Sequence, residues 1–171
     1  DATNGNLVWT FYTIPGPGDF GHDTWPQDNT VWMDGGASMW QTPAVDPELG
    51  LLYFSTGNAG PDYNGRVRKG DNLFASSILA LDIYTGEYRW HFQEVHHDIW
   101  DYDAPNPVIL FDIDYKGMPR KAISQAGKTG WLYILDRITG EPLIGIEEQP
   151  VPQEPMMYTA ATQPHPVGDA F

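Results

Sequence analysis

Ala80-Leu81-Asp82-Ile83-Tyr84-Thr85-Gly86-Glu87-Tyr88-Arg89-Trp90 is the stretch that decides the fold. An apolar run stops at Asp82, a Thr-Gly turn follows, and a second strand ends in Trp90. The Asp side chain caps the turn, Gly86 takes a positive φ that other residues resist, and Trp90 offers a large apolar surface to a neighbouring unit. The same spacing recurs in Asp1-Ala2-Thr3-Asn4-Gly5-Asn6-Leu7-Val8-Trp9. It recurs again from Asp136 through Gly140, with Ile144 where Trp would stand.

Gly86 and Gly140 lie 54 residues apart, and Gly5 and Gly86 lie 81 apart. A four-stranded propeller blade takes roughly 40 to 50 residues, so the longer interval needs an insertion. Pro15-Gly16-Pro17-Gly18-Asp19-Phe20-Gly21-His22-Asp23-Thr24-Trp25-Pro26 supplies one, since its Gly and Pro punctuation reads as a loop. Elsewhere the apolar runs are short, β-branched and aromatic: Leu51–Phe54, Ser77–Leu81, Val108–Phe111 and Trp131–Leu135 each read as a strand. There is no amphipathic helix of three turns.

The fold class is therefore all-β. A sandwich also has short, evenly spaced strands, but it does not need the same turn in every hairpin, so the repeat favours a partial β-propeller. The expected parsing is a blade end over 1–14, an inserted loop over 15–37, blades over 38–92 and 105–146, and a connecting tail over 147–171. The tail is proline-rich and is expected to carry no clear strand. Repeat units bury their faces against neighbours, so two or three blades make a piece of a larger ring.

The 171 residues, 41% hydrophobic and 13% aromatic, suffice for a folded core. With 23 acidic against 9 basic residues, the net charge of -14 disfavours nucleic acid and anionic lipid surfaces as partners. The absence of cysteine removes disulfides, thiolate metal sites and thiol nucleophiles. No apolar run has the length of a membrane helix, and no basic-then-apolar leader opens the chain.

Chemistry concentrates in His96-His97-Asp98-Ile99-Trp100-Asp101-Tyr102-Asp103. Asp101 and Asp103 fall on one side of an extended chain, as a shared cation requires, whereas His96 and His97 point to opposite faces. The histidines are therefore expected to hydrogen-bond around the Asp101 loop. Trp40 follows Gly35-Gly36-Ala37-Ser38-Met39, Asn58 comes 18 residues later in Ser55-Thr56-Gly57-Asn58, and Arg68-Lys69-Gly70-Asp71-Asn72 comes next. Lys128 stands 27 residues beyond Asp101 in Gly127-Lys128-Thr129-Gly130. The Gly-Lys-Thr triplet echoes a phosphate-binding loop, but neither the upstream glycine nor a following helix is there.

This order of motifs, across nearly the whole chain, resembles the pyrroloquinoline quinone (PQQ) dependent alcohol and sugar dehydrogenases. The resemblance implies about three blades' worth of an eight-bladed propeller that holds PQQ and a metal ion on its axis. It implies that Trp40 is the floor on which the quinone stacks, that Ser38 donates to a cofactor carboxylate, and that Lys128 faces the quinone oxygens. Asn58, Asp101 and Asp103 would ligate Ca²⁺ or a lanthanide ion, and Asp101 would be the catalytic base. Asp103 occurs in lanthanide enzymes and in sugar-oxidising relatives, so the ion stays open between the two.

The family's metal site also uses a Glu from an earlier blade, so the isolated piece is expected to be inactive. Further implications are a small alcohol or sugar substrate, the remaining blades of the parent as partners, a cytochrome c or quinone electron acceptor, and a periplasmic location. Two other readings compete. One is a non-catalytic propeller scaffold of the outer-membrane assembly type, which would share the repeats and bind proteins. The other is a glycosidase, whose two carboxyl groups must stand about 5 Å or more apart across a sugar, which suits an i, i+2 pair poorly.

Overall fold

The structure, a computed structural model, describes residues 1–168. Its first sheet is an antiparallel meander of β1 (Ala44–Asp46), β2 (Leu51–Ser55), β3 (Ser77–Asp82) and β4 (Tyr88–Gln93). The second contains β5 (Ile109–Tyr115), β6 (Met118–Ala126) and β7 (Leu132–Asp136), with Pro142 bridging to Leu135 beyond its edge. A two-stranded ribbon of β8 (Ile146–Pro150) and β9 (Thr162–Pro166) follows. Helical structure among the described residues is limited to three short 3₁₀ turns, two of them in the 15–37 insertion.

The first sheet is buried on both faces, which is why β2 and β3 read as unbroken apolar runs rather than alternating ones. Leu51, Tyr53, Ile78 and Ala80 join Trp90 on one face and meet Val108, Ile123 and Leu135 around the second sheet. Phe54, Leu79 and Leu81 point the other way, onto Leu73, Phe74 and the N-terminal Trp9 and Phe11. Arg137 ties the two sheets further. Its guanidinium reaches Asp46 and Asp112, both at 2.7 Å, while its carbonyl accepts from the Tyr53 hydroxyl at 2.8 Å.

The repeated turns have one geometry. Asp82 accepts the N–H groups of Tyr84 and Thr85 at 2.9 and 3.0 Å, and Asp136 accepts those of Ile138 and Thr139 at 2.9 and 3.4 Å. Gly5, Gly86 and Gly140 have φ of 74°, 74° and 79°. Each Trp docks on the glycine turn of the following repeat. A Cβ on Gly86 would stand 2.6 Å from the Trp9 ring, and one on Gly140 would stand 2.8 Å from the Trp90 ring. The indole N–H groups donate to Ile83 and Arg137 carbonyls, the residue after the turn Asp in both cases, at 3.1 and 3.2 Å. Trp90→Ala removes this joint and part of the core, so we expect a loss of about 3–5 kcal/mol, read from the shift in denaturant midpoint.

Two features differ from the sequence expectation. Asp46-Pro47-Glu48-Leu49-Gly50 forms a fourth Asp-capped turn, with Gly50 at φ 65°, that lacks a Trp to announce it. The tail, expected to carry no clear strand, contains β8 and β9 instead. Its prolines are compatible with pairing because Pro150, Pro164 and Pro166 lie in a two-stranded ribbon, where each strand keeps a free edge for residues that cannot donate.

Candidate active site

Beyond β2, residues 57–59 run beside 36–38. Ala37 N–H donates to the Asn58 carbonyl at 2.6 Å, and Gly57 N–H donates to that of Ser38 at 3.0 Å. Gly57 makes the approach possible: a Cβ there would stand 2.5 Å from the Trp40 ring and 2.7 Å from the Asp103 carboxylate. Trp40 thus lies against bare backbone beside Asp103, with 53% of its surface exposed. Gln41, which is buried, anchors the segment. Its side-chain Oε1 accepts from Trp40 N–H at 3.0 Å, and its side-chain amide Nε2 donates to Ser55 and to the carbonyl of Ala104, next to Asp103.

Asp101 sits in a tight loop with φ 64°, a conformation that Asp tolerates better than most residues. Asp98 shapes that loop. Its carboxylate accepts Trp100 N–H at 2.9 Å, Tyr102 N–H at 2.7 Å and the Ser76 hydroxyl at 3.2 Å. Burial pushes the Asp98 pKa upward against these donors and the nearby Arg68 charge. Arg68, fully buried, donates to the carbonyls of Pro61 and Asp62, to the Asn72 side chain, and to the Asp98 carbonyl.

Lys128 closes the cluster. Its ammonium reaches Asp103 Oδ2 at 2.6 Å, Asp101 Oδ2 at 3.2 Å and the Asp101 carbonyl at 2.7 Å. The hydrogen bond to Asp103, with help from Asp101, holds the Lys128 pKa above its ordinary value, so the group stays cationic. Asp103 Oδ1 accepts Asn58 N–H at 2.9 Å. The Asn58 amide donates to Ala59, which leaves its Oδ1 without a donor among the described residues.

The structure thus brings Trp40, Asn58, Asp101, Asp103 and Lys128 together, while Ser38 is exposed and contributes its carbonyl. The histidines take separate partners. His96 bonds Gln93 and Glu148, and His97 bonds the Gly70 carbonyl. Sequence reasoning assigned no role to Asp98, Gln41 or Arg68. Asp98 carried a local signal, as an Asp able to accept N–H groups two residues on, and Arg68 stood at the head of the Arg68–Asn72 motif without a role of its own.

Among the described residues there is no group of three or more His, Cys, Asp or Glu side chains able to hold a metal ion. What is present is two carboxylates and an amide oxygen beside a cation and an open indole face. Hard oxygen donors of this kind suit Ca²⁺ or a lanthanide rather than zinc or copper, and the open indole suits a planar ring. No helix among the described residues is long and apolar enough to cross a membrane.

Comparisons with known proteins identify the family. A quinohemoprotein alcohol dehydrogenase ADH-IIG from Pseudomonas putida is 44% identical over 155 residues, covering 84% of this chain and 21% of its own. The crystal structure of quinohemoprotein alcohol dehydrogenase from Comamonas testosteroni superimposes with a TM-score of 0.75 at 36% identity, over 94% of this chain and 26% of that one. A europium-containing methanol dehydrogenase matches with a TM-score of 0.67 at 37% identity, over 78% and 24%. The chain therefore spans between 21% and 26% of the length of these relatives. Residues 1–171 match the family described as "PQQ: Glucose/ethanol/alcohol dehydrogenase, beta-propeller domain", and the chain belongs to that family.

Proposed function

We propose that this chain provides the floor, one wall and the catalytic carboxylate of a PQQ site in a dehydrogenase that oxidises an alcohol or sugar hydroxyl. The observation that carries the reading is the convergence of Asp101 and Asp103 on Lys128, at 3.2 and 2.6 Å, beside the exposed Trp40 ring. When bound, PQQ supplies the acceptor for a hydride from the substrate carbon, and Ca²⁺ or a lanthanide supplies Lewis acidity.

The remaining work falls to side chains of this chain. Asp101 accepts the hydroxyl proton as hydride leaves, a role for which its carboxylate must be ionised and within reach. Lys128 carries the positive charge that stabilises negative charge developing on the quinone oxygens. Trp40 offers a flat, rigid stacking surface, and Ser38 a hydrogen bond to a cofactor carboxylate. Asn58, Asp101 and Asp103 offer oxygens to the ion, Asp103 adding the second negative charge that favours a trivalent one. The remaining blades of the parent complete the site, a cytochrome c or quinone receives the electrons, and the enzyme works in the periplasm.

The test uses the full-length parent, stripped of metal and then supplied with Ca²⁺ or La³⁺, with PQQ binding followed by absorbance and turnover by dye-linked oxidation. We expect metal-dependent PQQ binding and turnover, with Asp103→Ala weakening La³⁺ support at least tenfold more than Ca²⁺ support. If neither ion supports PQQ binding, the reading fails and a protein-binding scaffold takes its place.

A further inference from the structure

Glu94 follows β4 at the head of the segment that leads to Asp101, and only 1% of it is exposed. Its Oε1 is buried without a hydrogen-bond partner. Its Oε2 stands 2.6 Å from where a Cβ on Gly127 would be, so the carboxyl group presses on bare backbone one residue before Lys128. The turn above it is loosely tied: Gly127 N–H to the Trp131 carbonyl and Gly130 N–H to that of Gly127 both measure 3.4 Å. Glu94 itself is fixed, with its N–H on the Ser76 carbonyl at 2.8 Å and its own carbonyl accepting from the Tyr133 hydroxyl.

Glu94 also lines a cavity of about 610 Å³ that it shares with Trp100, Tyr102, Thr129 and Trp131. Those four residues flank Asp101 and Lys128 in sequence, whereas Asp101, Asp103 and Lys128 do not line the cavity. The Glu94 wedge is therefore behind the catalytic cluster, touching the segment that carries Lys128.

We propose that Glu94 is a positioning residue: wedged under Gly127, its carboxyl group sets where Lys128 meets Asp101 and Asp103. This inference rests on the PQQ dehydrogenase reading. Burial pushes the Glu94 pKa up to about 8, so the wedge is uncharged at neutral pH. The groups that face it offer no fixed cation. Tyr133 on β7 is held neutral by burial and by Glu94 itself, Glu154 and His165 lie across the cavity, and Lys128 is committed to the two aspartates. Ionisation leaves an unpaired buried charge, which is relieved by turning the carboxylate toward the cavity and away from Gly127. Lys128 then loses its support.

The experiment compares the wild-type full-length enzyme with Glu94→Gln and Glu94→Ala, loaded with PQQ and Ca²⁺, measuring kcat and KM from pH 6 to 10 together with PQQ content. Glutamine keeps the shape and cannot ionise. We expect the wild-type kcat to fall reversibly above about pH 8, and Glu94→Gln to hold its kcat at least one pH unit further. Glu94→Ala should lose about tenfold in kcat below pH 8, where the wild-type wedge is intact, and show no further fall where wild type declines, with KM and PQQ content retained, as for a misplaced catalytic group.

A second readout needs no cofactor. The folded state keeps a proton that the unfolded chain has released, so wild-type stability relative to Glu94→Gln should fall as pH rises from about 4.5 to 8 and then level off. An alkaline fall shared by wild type and Glu94→Gln, or a wild-type kcat in Glu94→Ala, overturns the positioning role even if the stability difference appears. A wild-type parent that neither binds PQQ nor turns over overturns the functional reading, and the positioning role with it.

Discussion

Asp101→Asn in the full-length enzyme is expected to lower kcat by about 10²–10⁴-fold while leaving the fold intact, because it removes the proposed proton acceptor without removing its shape. Asparagine is the informative replacement. Position 101 has φ 64°, which Asn adopts readily, whereas Ala would add backbone strain of about 1–3 kcal/mol and confuse lost chemistry with a displaced loop. The amide oxygen can still approach a cation, so PQQ and metal binding should survive better than turnover. The substitution does not touch the 2.6 Å contact of Lys128 with Asp103, so the lysine should keep a carboxylate partner. The measurement is dye-linked turnover at saturating PQQ and Ca²⁺, with circular dichroism and PQQ content as controls. A variant with more than a tenth of wild-type kcat would remove Asp101 from the role of base.

Arg68→Met carries an expected stability cost of about 3–5 kcal/mol, the range for removing one member of a buried charged network. Arg68 is completely buried, and desolvation lowers its pKa, but a guanidinium titrates so high that it stays charged. Methionine fills much of the volume. It leaves the carbonyls of Pro61, Asp62 and Asp98 and the amide of Asn72 without their donor. Three separate loops lose their common tie. One of them carries Asp98, whose carboxylate holds the N–H groups on either side of Asp101, so kcat should fall along with the denaturant midpoint. A variant with wild-type midpoint and diminished kcat would mean that Arg68 acts on the site without supporting the fold.

What was legible in the sequence is what local chemistry determines. An Asp that caps its own turn and a glycine at positive φ act within five residues, and so the repeats could be read directly from Asp82 to Trp90. The Asp46 turn obeys the same rules but has no Trp after Gly50, and without that landmark it passed unnoticed. In the tail, proline outweighed the pairing of β8 with β9, because whether a missing N–H matters depends on which edge of a strand it faces. The candidate site divides in the same way. Asp101, Asp103, Asn58, Trp40 and Lys128 could be singled out by order and spacing. Gln41 works through the carbonyls of Ser55 and Ala104, 14 and 63 residues away, and Arg68 stands in a visible motif but ties loops whose meeting at Asp98, 30 residues on, the motif does not announce, while Glu94 is notable for a partner it lacks.

The joints between repeats have a direction. Trp9 reaches forward to the Gly86 turn and Trp90 reaches forward to the Gly140 turn, each contact pairing a ring on one unit with bare backbone on the next. Such a contact cannot be made from both sides, so the units can follow one another but cannot face one another. A rearranged gene that cuts the chain in a loop and rejoins it elsewhere would preserve every joint, whereas inverting a single unit would destroy the two it shares. The direction in which units succeed one another is thus written into the polarity of their seams, independently of the loops that connect them.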